Sequence, residues 1–187
     1  MIHFWLRRVT KKKKEKQRKR RKTQTMKLKS KQKKRGKRQK ERQRRNLESK
    51  NFLLDNFYLG NSLYYDNTRK DVVKPDPIAL QKADAAFARV IESSPTTQDA
   101  YIFRARTNRL LENEELIIKY YEEYIRVVTE KGADEVTKNK TKFIESYNNI
   151  AASYANTDKA KAIEYFNKTL ALDPTNAYAA QSIASLK

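Results

Sequence analysis

Residues that many enzymes depend on are scarce or missing in this chain of 187 residues. There is no cysteine, which excludes disulfide bonds, thiolate nucleophiles and cysteine-ligated zinc. The single histidine is His3, so the chain beyond it has no histidine for acid–base catalysis. Only three glycines are present, and none lies in a phosphate-binding loop. We therefore expect a protein that is not an enzyme, has no cofactor and holds no metal.

The chain also lacks a long apolar segment. No run reaches the roughly 18 apolar residues that a membrane-spanning helix needs. The N-terminal stretch MIHFWLRRV is apolar only briefly and has no basic segment ahead of it, unlike a signal peptide. We expect no transmembrane segment and no export, and hence a cytoplasmic protein, or a nuclear one in a eukaryote.

Positive charge is abundant but confined to one part of the sequence. The formal net charge is +21, from 43 Lys and Arg against 22 Asp and Glu. Residues 1–50 hold 25 basic and 3 acidic residues, so the remaining 137 residues hold 18 basic and 19 acidic residues and are nearly neutral. This division predicts two domains: a basic arm, 1–50, and a folded body, 51–187, long enough to form one domain.

The basic arm has too few apolar residues to form a core, so we expect it to be disordered or an isolated helix. Its clusters, such as KKKKEKQRKRRK from Lys11 to Lys22, would neutralise phosphates without sequence specificity, because no aromatic residue beyond Trp5 is available to stack on bases. The residues expected to contact a polyanion are Lys11, Lys12, Lys13, Lys14, Arg18, Arg20 and Arg21. A wrongly assigned start on an adenine-rich gene would encode the same composition, so the arm has two interpretations.

The body contains an internal repeat. The segments KADAAFARVIESSP, 82–95, and KAIEYFNKTLALDP, 161–174, align on their final proline. Both have alanine, an aromatic residue four positions later, an aliphatic residue after four more, and proline after a further four. This spacing keeps the packing residues on one face of a helix, and the proline ends that helix.

Each of these segments is preceded by another helix that carries small and aromatic residues. The preceding helices include SYNNIAASYA, 146–155, and NFYLGNSLYY, 56–65. Helix pairs recurring about every 34 residues with this set of positions resemble tetratricopeptide repeats. The overall residue pattern is similar to that of bacterial members of the family. The resemblance implies an all-α, right-handed solenoid of about three helix pairs with a C-terminal capping helix. Its structural repeat positions would be Leu59, Gly60, Ala83, Phe87, Pro95, Tyr101, Ala105, Tyr124, Tyr147, Ala151, Tyr154, Ala162, Phe166 and Pro174.

The periodicity predicts seven helices in the body. Their expected bounds are 51–65, 78–93, 97–112, 114–130, 136–155, 158–172 and 175–186.

The resemblance also implies a function, which is to hold a partner protein or peptide against the first helices of the pairs. Candidate contact residues on those helices are Asn61, Arg104, Arg106, Asn108, Asn148 and Asn149. Some relatives grip C-terminal carboxylates with Lys, Asn and Arg, and the basic residues of that arrangement are missing here. The alternative function is a nucleic-acid or ribosome-associated factor, in which the arm binds RNA or DNA and the repeats recruit a partner.

Overall fold

A computed structural model describes the backbone of residues 2–187 and the side chains of residues 26–49 and 51–187. Every regular element in that part of the chain is an α-helix, and none is long and apolar enough to cross a membrane. The helices are α1 (Ile2–Asp66), α2 (Pro77–Ser93), α3 (Gln98–Leu110), α4 (Glu114–Thr129), α5 (Ala133–Lys138), α6 (Lys140–Tyr154), α7 (Lys159–Leu172) and α8 (Ala177–Leu186).

The chain divides into two compact units, Met1–Asn51 and Phe52–Lys187. In residues 26–49 every side chain is exposed. The polyanion-binding residues predicted between Lys11 and Arg21 lie outside the described side chains.

Polar side chains define where the helices of the second unit begin. Asp76 accepts a hydrogen bond from the Ile78 amide, and Pro77 follows it at the first helical position of α2. Asn113, Asp158 and Asn176 cap α4, α7 and α8 in the same manner. Each such cap stabilises its helix by about 1 kcal/mol because it satisfies an amide that has no partner within the helix.

The helices of the second unit pack in consecutive pairs. The end of α1 pairs with α2, α3 with α4, and α6 with α7, while α8 closes the last pair. Helix α5 is a short connector, and α4 packs directly against α6. Each pair therefore contributes a first helix (α1, α3 or α6) and a second helix (α2, α4 or α7).

Aromatic rings fill the space between the helices. Phe87, Tyr121, Tyr124 and Phe166 are fully buried, and Ala83, Ala105, Ala151 and Ala162 lie where helices approach one another. Gly60 shows how close that approach is, because a Cβ atom there would lie 2.7 Å from the Phe87 ring.

Leu59, one of the predicted structural repeat positions, is 48% exposed. It belongs to the first helix of the first pair, and within Phe52–Lys187 no earlier helix lies beside it.

The predicted helix bounds also need two corrections. The helix expected to begin at residue 51 is the end of α1, and the helix expected at 136–155 is interrupted at Asn139. Asn139 has φ −101° and ψ 16°, and its side-chain amide donates to the Glu135 carbonyl. Because asparagine competes in this way with the backbone for helical hydrogen bonds, α5 ends and α6 begins there.

Candidate partner-binding face

The first helices α3 and α6 are joined by three polar contacts between side chains. Lys142 contacts Asp99 at 2.6 Å, and the Arg106 guanidinium donates two hydrogen bonds, of 2.7 and 2.6 Å, to the Glu145 carboxylate. Arg109 donates to the Asn149 amide oxygen at 3.3 Å. Residues three, four or seven apart share one face of a helix, so the sequence places these groups in two facing rows.

Glu145 is the most constrained of these groups. It also accepts a hydrogen bond from the Tyr121 hydroxyl at 3.0 Å. Burial by itself would raise the pKa of Glu145, but the hydrogen bonds and charge of Arg106, assisted by Tyr121, outweigh it, and the net pKa is lowered. Burial, and then the nearby Glu145 charge, raise the pKa of Tyr121. Glu145 is therefore ionised and Tyr121 neutral at neutral pH.

Three aromatic rings lie beside this charged pair. Tyr64 and Tyr65 of α1 have their ring centres 5.6 and 5.8 Å from that of Phe103 on α3. The Arg106 guanidinium lies over the Phe103 ring at 5.2 Å, an arrangement typical of cation–π contacts. Tyr65 is 54% exposed, so one ring of the group is open to a ligand.

Arg109 is the cation on this surface with the most unused hydrogen-bonding capacity. Its side chain is exposed, and within the described residues it forms no salt bridge with a carboxylate. Burial raises the pKa of Tyr64, and the positive charges of Arg106 and Arg109 oppose that rise. The surface thus combines open aromatic area with an available guanidinium. We name it the first-helix face, and its members are Tyr64, Tyr65, Phe103, Arg106, Arg109, Glu145 and Asn149.

Of the six residues predicted to contact a partner, Arg106 and Asn149 lie on the first-helix face. Asn61, on α1, has a buried amide oxygen without a hydrogen-bond partner among the described residues.

The other three predicted contact residues are directed toward second helices. Arg104 binds Asp84 of α2 at 2.8 Å and lies over the Tyr120 ring of α4. Asn108 is buried and donates to the same Asp84 carboxylate at 2.6 Å. Asn148 accepts a hydrogen bond from Thr169 of α7.

Sequence reasoning also missed several members of the first-helix face. Arg109 follows Arg106 by three residues, and Glu145 precedes Asn149 by four, so helical periodicity could have found both. Nothing in the sequence pairs Tyr64 and Tyr65 with Phe103, because their contact depends on how α1 packs against α3.

A cavity of about 460 Å³ lies where α4, α6 and α7 meet. Its aromatic residues are Tyr147 and Tyr165, and the Tyr165 hydroxyl donates to Glu122 at 2.7 Å. Arg126 at its rim binds both Glu123 and Glu130. Since these polar groups already have partners, this cavity is a weaker binding candidate than the first-helix face.

No set of three or more potential metal ligands occurs in the described part of the chain.

Comparison with known proteins shows what kind of domain this is. No protein-family model and no curated protein sequence matches the chain. Solved structures do match. The C-terminal part of a TPR repeat-containing protein from Cytophaga hutchinsonii is 32% identical with a TM-score of 0.56, and the match covers 70% of this chain. This chain spans only 46% of the length of that structure.

Two further structures share the fold at lower identity. The N-terminal domain of stress-induced protein-1 from C. elegans is 16% identical, with a TM-score of 0.57 over 74% of this chain and 96% of its own. The first TPR of Spaghetti (RPAP3), bound to an HSP90 peptide, is 12% identical, with a TM-score of 0.52 over 72% of this chain and 89% of its own.

The predicted fold, an all-α solenoid of about three helix pairs with a capping helix, is confirmed. The chain therefore has the fold of tetratricopeptide-repeat proteins.

Proposed function

We propose that this protein is a non-enzymatic interaction module that binds a peptide segment of a partner protein on its first-helix face. The observation that carries the proposal is the convergence of three first helices on one surface, with open aromatic area from α1 and α3 and an available guanidinium on Arg109. Two similar structures were solved with bound peptides, one with an HSP90 peptide and one with an HSP70 peptide, which supports peptide binding as the class of function.

The chemistry of the face defines the peptide it would select. An acidic side chain would pair with Arg109 through two hydrogen bonds, since a guanidinium matches a carboxylate in geometry. An aromatic or aliphatic side chain would pack on Tyr65 and Phe103. Arg106 is not available for a second carboxylate, because Glu145 already occupies its donors.

The selected peptide differs from the chaperone tails bound by the similar structures. Those tails end in two adjacent acidic residues followed by valine and aspartate, as in SRMEEVD. In this chain the positions expected to grip such a tail hold Phe57, Asn61, Asn148 and Ala152, none of which is basic. We expect one acidic anchor next to an apolar one, and no preference for a free C-terminus.

The experiment is selection of a random peptide library on the full chain, followed by measurement of the affinity of the selected peptides. Arg109→Glu should weaken them about tenfold or more, because an attractive pair becomes a repulsive one. Arg89→Glu is the matched control, since Arg89 is also exposed but lies on the second helix α2. Equal loss in both variants, or no selected peptide with an acidic residue, would contradict the proposal.

The basic arm supports a second candidate function, which is binding of RNA or DNA. Residues 26–49 contain 12 basic and 2 acidic residues, all of them exposed on α1. Mixed RNA should bind the full chain with an affinity that falls steeply with salt, because binding releases condensed counterions. A chain shortened to residues 51–187 should not bind it. Equal RNA binding by the shortened chain would exclude the arm as the binding element.

A further inference from the structure

The first helix of the first pair has a half-exposed apolar surface. Phe52 and Leu59 of α1 are 47% and 48% exposed, and Asp55 is exposed between them. Spacings of three and four residues place the three side chains on one side of the helix. We call this surface the α1 end face.

The internal repeat identifies the equivalent residues elsewhere in the fold. Gly60 lies against Phe87 of its pair's second helix, and Ala151 clusters with Phe166 of its own. These two small residues are 91 positions apart. The same offset relates Phe52, Asp55 and Leu59 to Phe143, Ser146 and Ile150 on α6.

On α6 the equivalent surface is covered by a helix. Phe143, Ser146 and Ile150 are 2%, 0% and 0% exposed. They pack against α4, the second helix of the preceding pair, and the Phe143 ring lies 5.9 Å from that of Tyr124. The fold therefore shows what occupies such a surface: an amphipathic helix that presents aromatic and branched side chains.

One of the three equivalent positions is charged on α1 but not on α6. This difference restricts which helix could cover the α1 end face. The position of Ser146, which is small and fully buried, holds the charged Asp55 on α1. Covering Asp55 with an apolar helix would bury an unpaired carboxylate, which is strongly unfavourable. A helix with a lysine or arginine opposite Asp55 would remove that cost.

We propose that the α1 end face docks an amphipathic helix of a partner protein whose apolar side chains cover Phe52 and Leu59 and whose Lys or Arg pairs with Asp55. A second copy of this chain is a poorer occupant. Its α4 presents Tyr121, Tyr124 and Val128 at such an interface, none of them cationic, and its α7 is already covered by α8. This surface is separate from the first-helix face, and its proposal does not depend on peptide binding there.

The test uses two synthetic peptides and the full chain. One peptide has the sequence of residues 114–130, which include α4, and the other carries Tyr121→Arg, because Tyr121 reaches Glu145, the neighbour of Ser146. Fluorescence anisotropy should show that the arginine peptide binds at least about tenfold more tightly than the parent peptide. Leu59→Asp should abolish this difference in affinity between the two peptides. Val73→Asp, at a fully exposed position in the α1–α2 loop, should leave the difference in affinity unchanged.

Reversing the charges gives a result that misfolding cannot imitate. Asp55→Lys should weaken binding of the arginine peptide, and a peptide with Tyr121→Glu should then bind that variant better than it binds the original chain. The proposal is overturned if neither peptide binds, or if Leu59→Asp has no more effect than Val73→Asp. It is also overturned if sedimentation shows a dimer that Leu59→Asp dissociates, since a second copy would then occupy the surface.

Discussion

Helix α1 belongs to two very different regions of the molecule. Between residues 26 and 49 it carries 12 basic residues and no buried side chain, whereas between Phe52 and Asp66 it buries Asn56 and Gly60 among neighbouring helices. The backbone is helical in both regions. Lys, Arg, Gln and Glu favour a helix through their local propensity, but only the second region gains free energy from tertiary packing. The two regions of α1 therefore have the same secondary structure but differ in how much tertiary packing stabilises them. The following experiments can measure this difference.

The largest expected difference comes from removing one large side chain in each region. Phe87→Ala should lower the free energy of unfolding by about 3–5 kcal/mol, because it empties the space among Gly60, Phe57 and Phe103. Leu28→Ala, at a position 57% exposed on the arm, should change it by less than about 0.5 kcal/mol. Urea unfolding followed by circular dichroism gives both values. A comparable loss in the two variants would mean that the arm contributes to the core.

Replacing a glycine by alanine in each region gives a second comparison. We expect the change to be unfavourable in the body and favourable in the arm. Gly60→Ala places a methyl group 2.7 Å from the Phe87 ring, so it should destabilise the body by about 1–3 kcal/mol. Gly36→Ala meets no atom within 4 Å and should increase helicity, since alanine favours a helix by about 1 kcal/mol over glycine. The first effect appears in the urea midpoint and the second in the far-ultraviolet signal at low denaturant. Stabilisation by Gly60→Ala would contradict the close approach of α1 to the Phe87 ring.

The smallest expected effect concerns the charged pair of the first-helix face, and it depends on pH. Glu145→Gln should cost about 1–2 kcal/mol at neutral pH, because Arg106 loses its charged partner at a partly exposed site. The pKa of Glu145 is lowered on folding, so its contribution is complete above the unfolded value of about 4.3 and is lost as the pH falls through the folded pKa.

Urea unfolding at several pH values tests this sign. The difference between Glu145→Gln and the original chain should shrink below about pH 4. An Asp71→Asn variant, on the exposed α1–α2 loop, is the control that should show little difference at any pH. A difference for Glu145→Gln that grows in acid would contradict the assigned ion pair.

The sequence predicted the fold more reliably than it predicted the candidate site. Ala83, Phe87, Ala162 and Phe166 lie in the core where the repeat spacing places them, because each helix face has a period of 3.6 residues that the sequence shows directly. The site needed more than periodicity. Arg104 and Arg106 are two residues apart, so they point to different neighbours, one to Asp84 on α2 and the other to Glu145 on α6.

By itself, the sequence determined the helical class, the repeat and the separation of charge between arm and body. These features depend on local propensity and on the spacing of apolar residues along the chain. Only the tertiary structure decided which side chains meet: Tyr65 with Phe103, Arg106 with Glu145, and Leu59 with no helix of the repeat domain. The physical reason is that a contact between two helices depends on their relative rotation and separation, which the packing of Gly60, Phe87 and the other core residues determines.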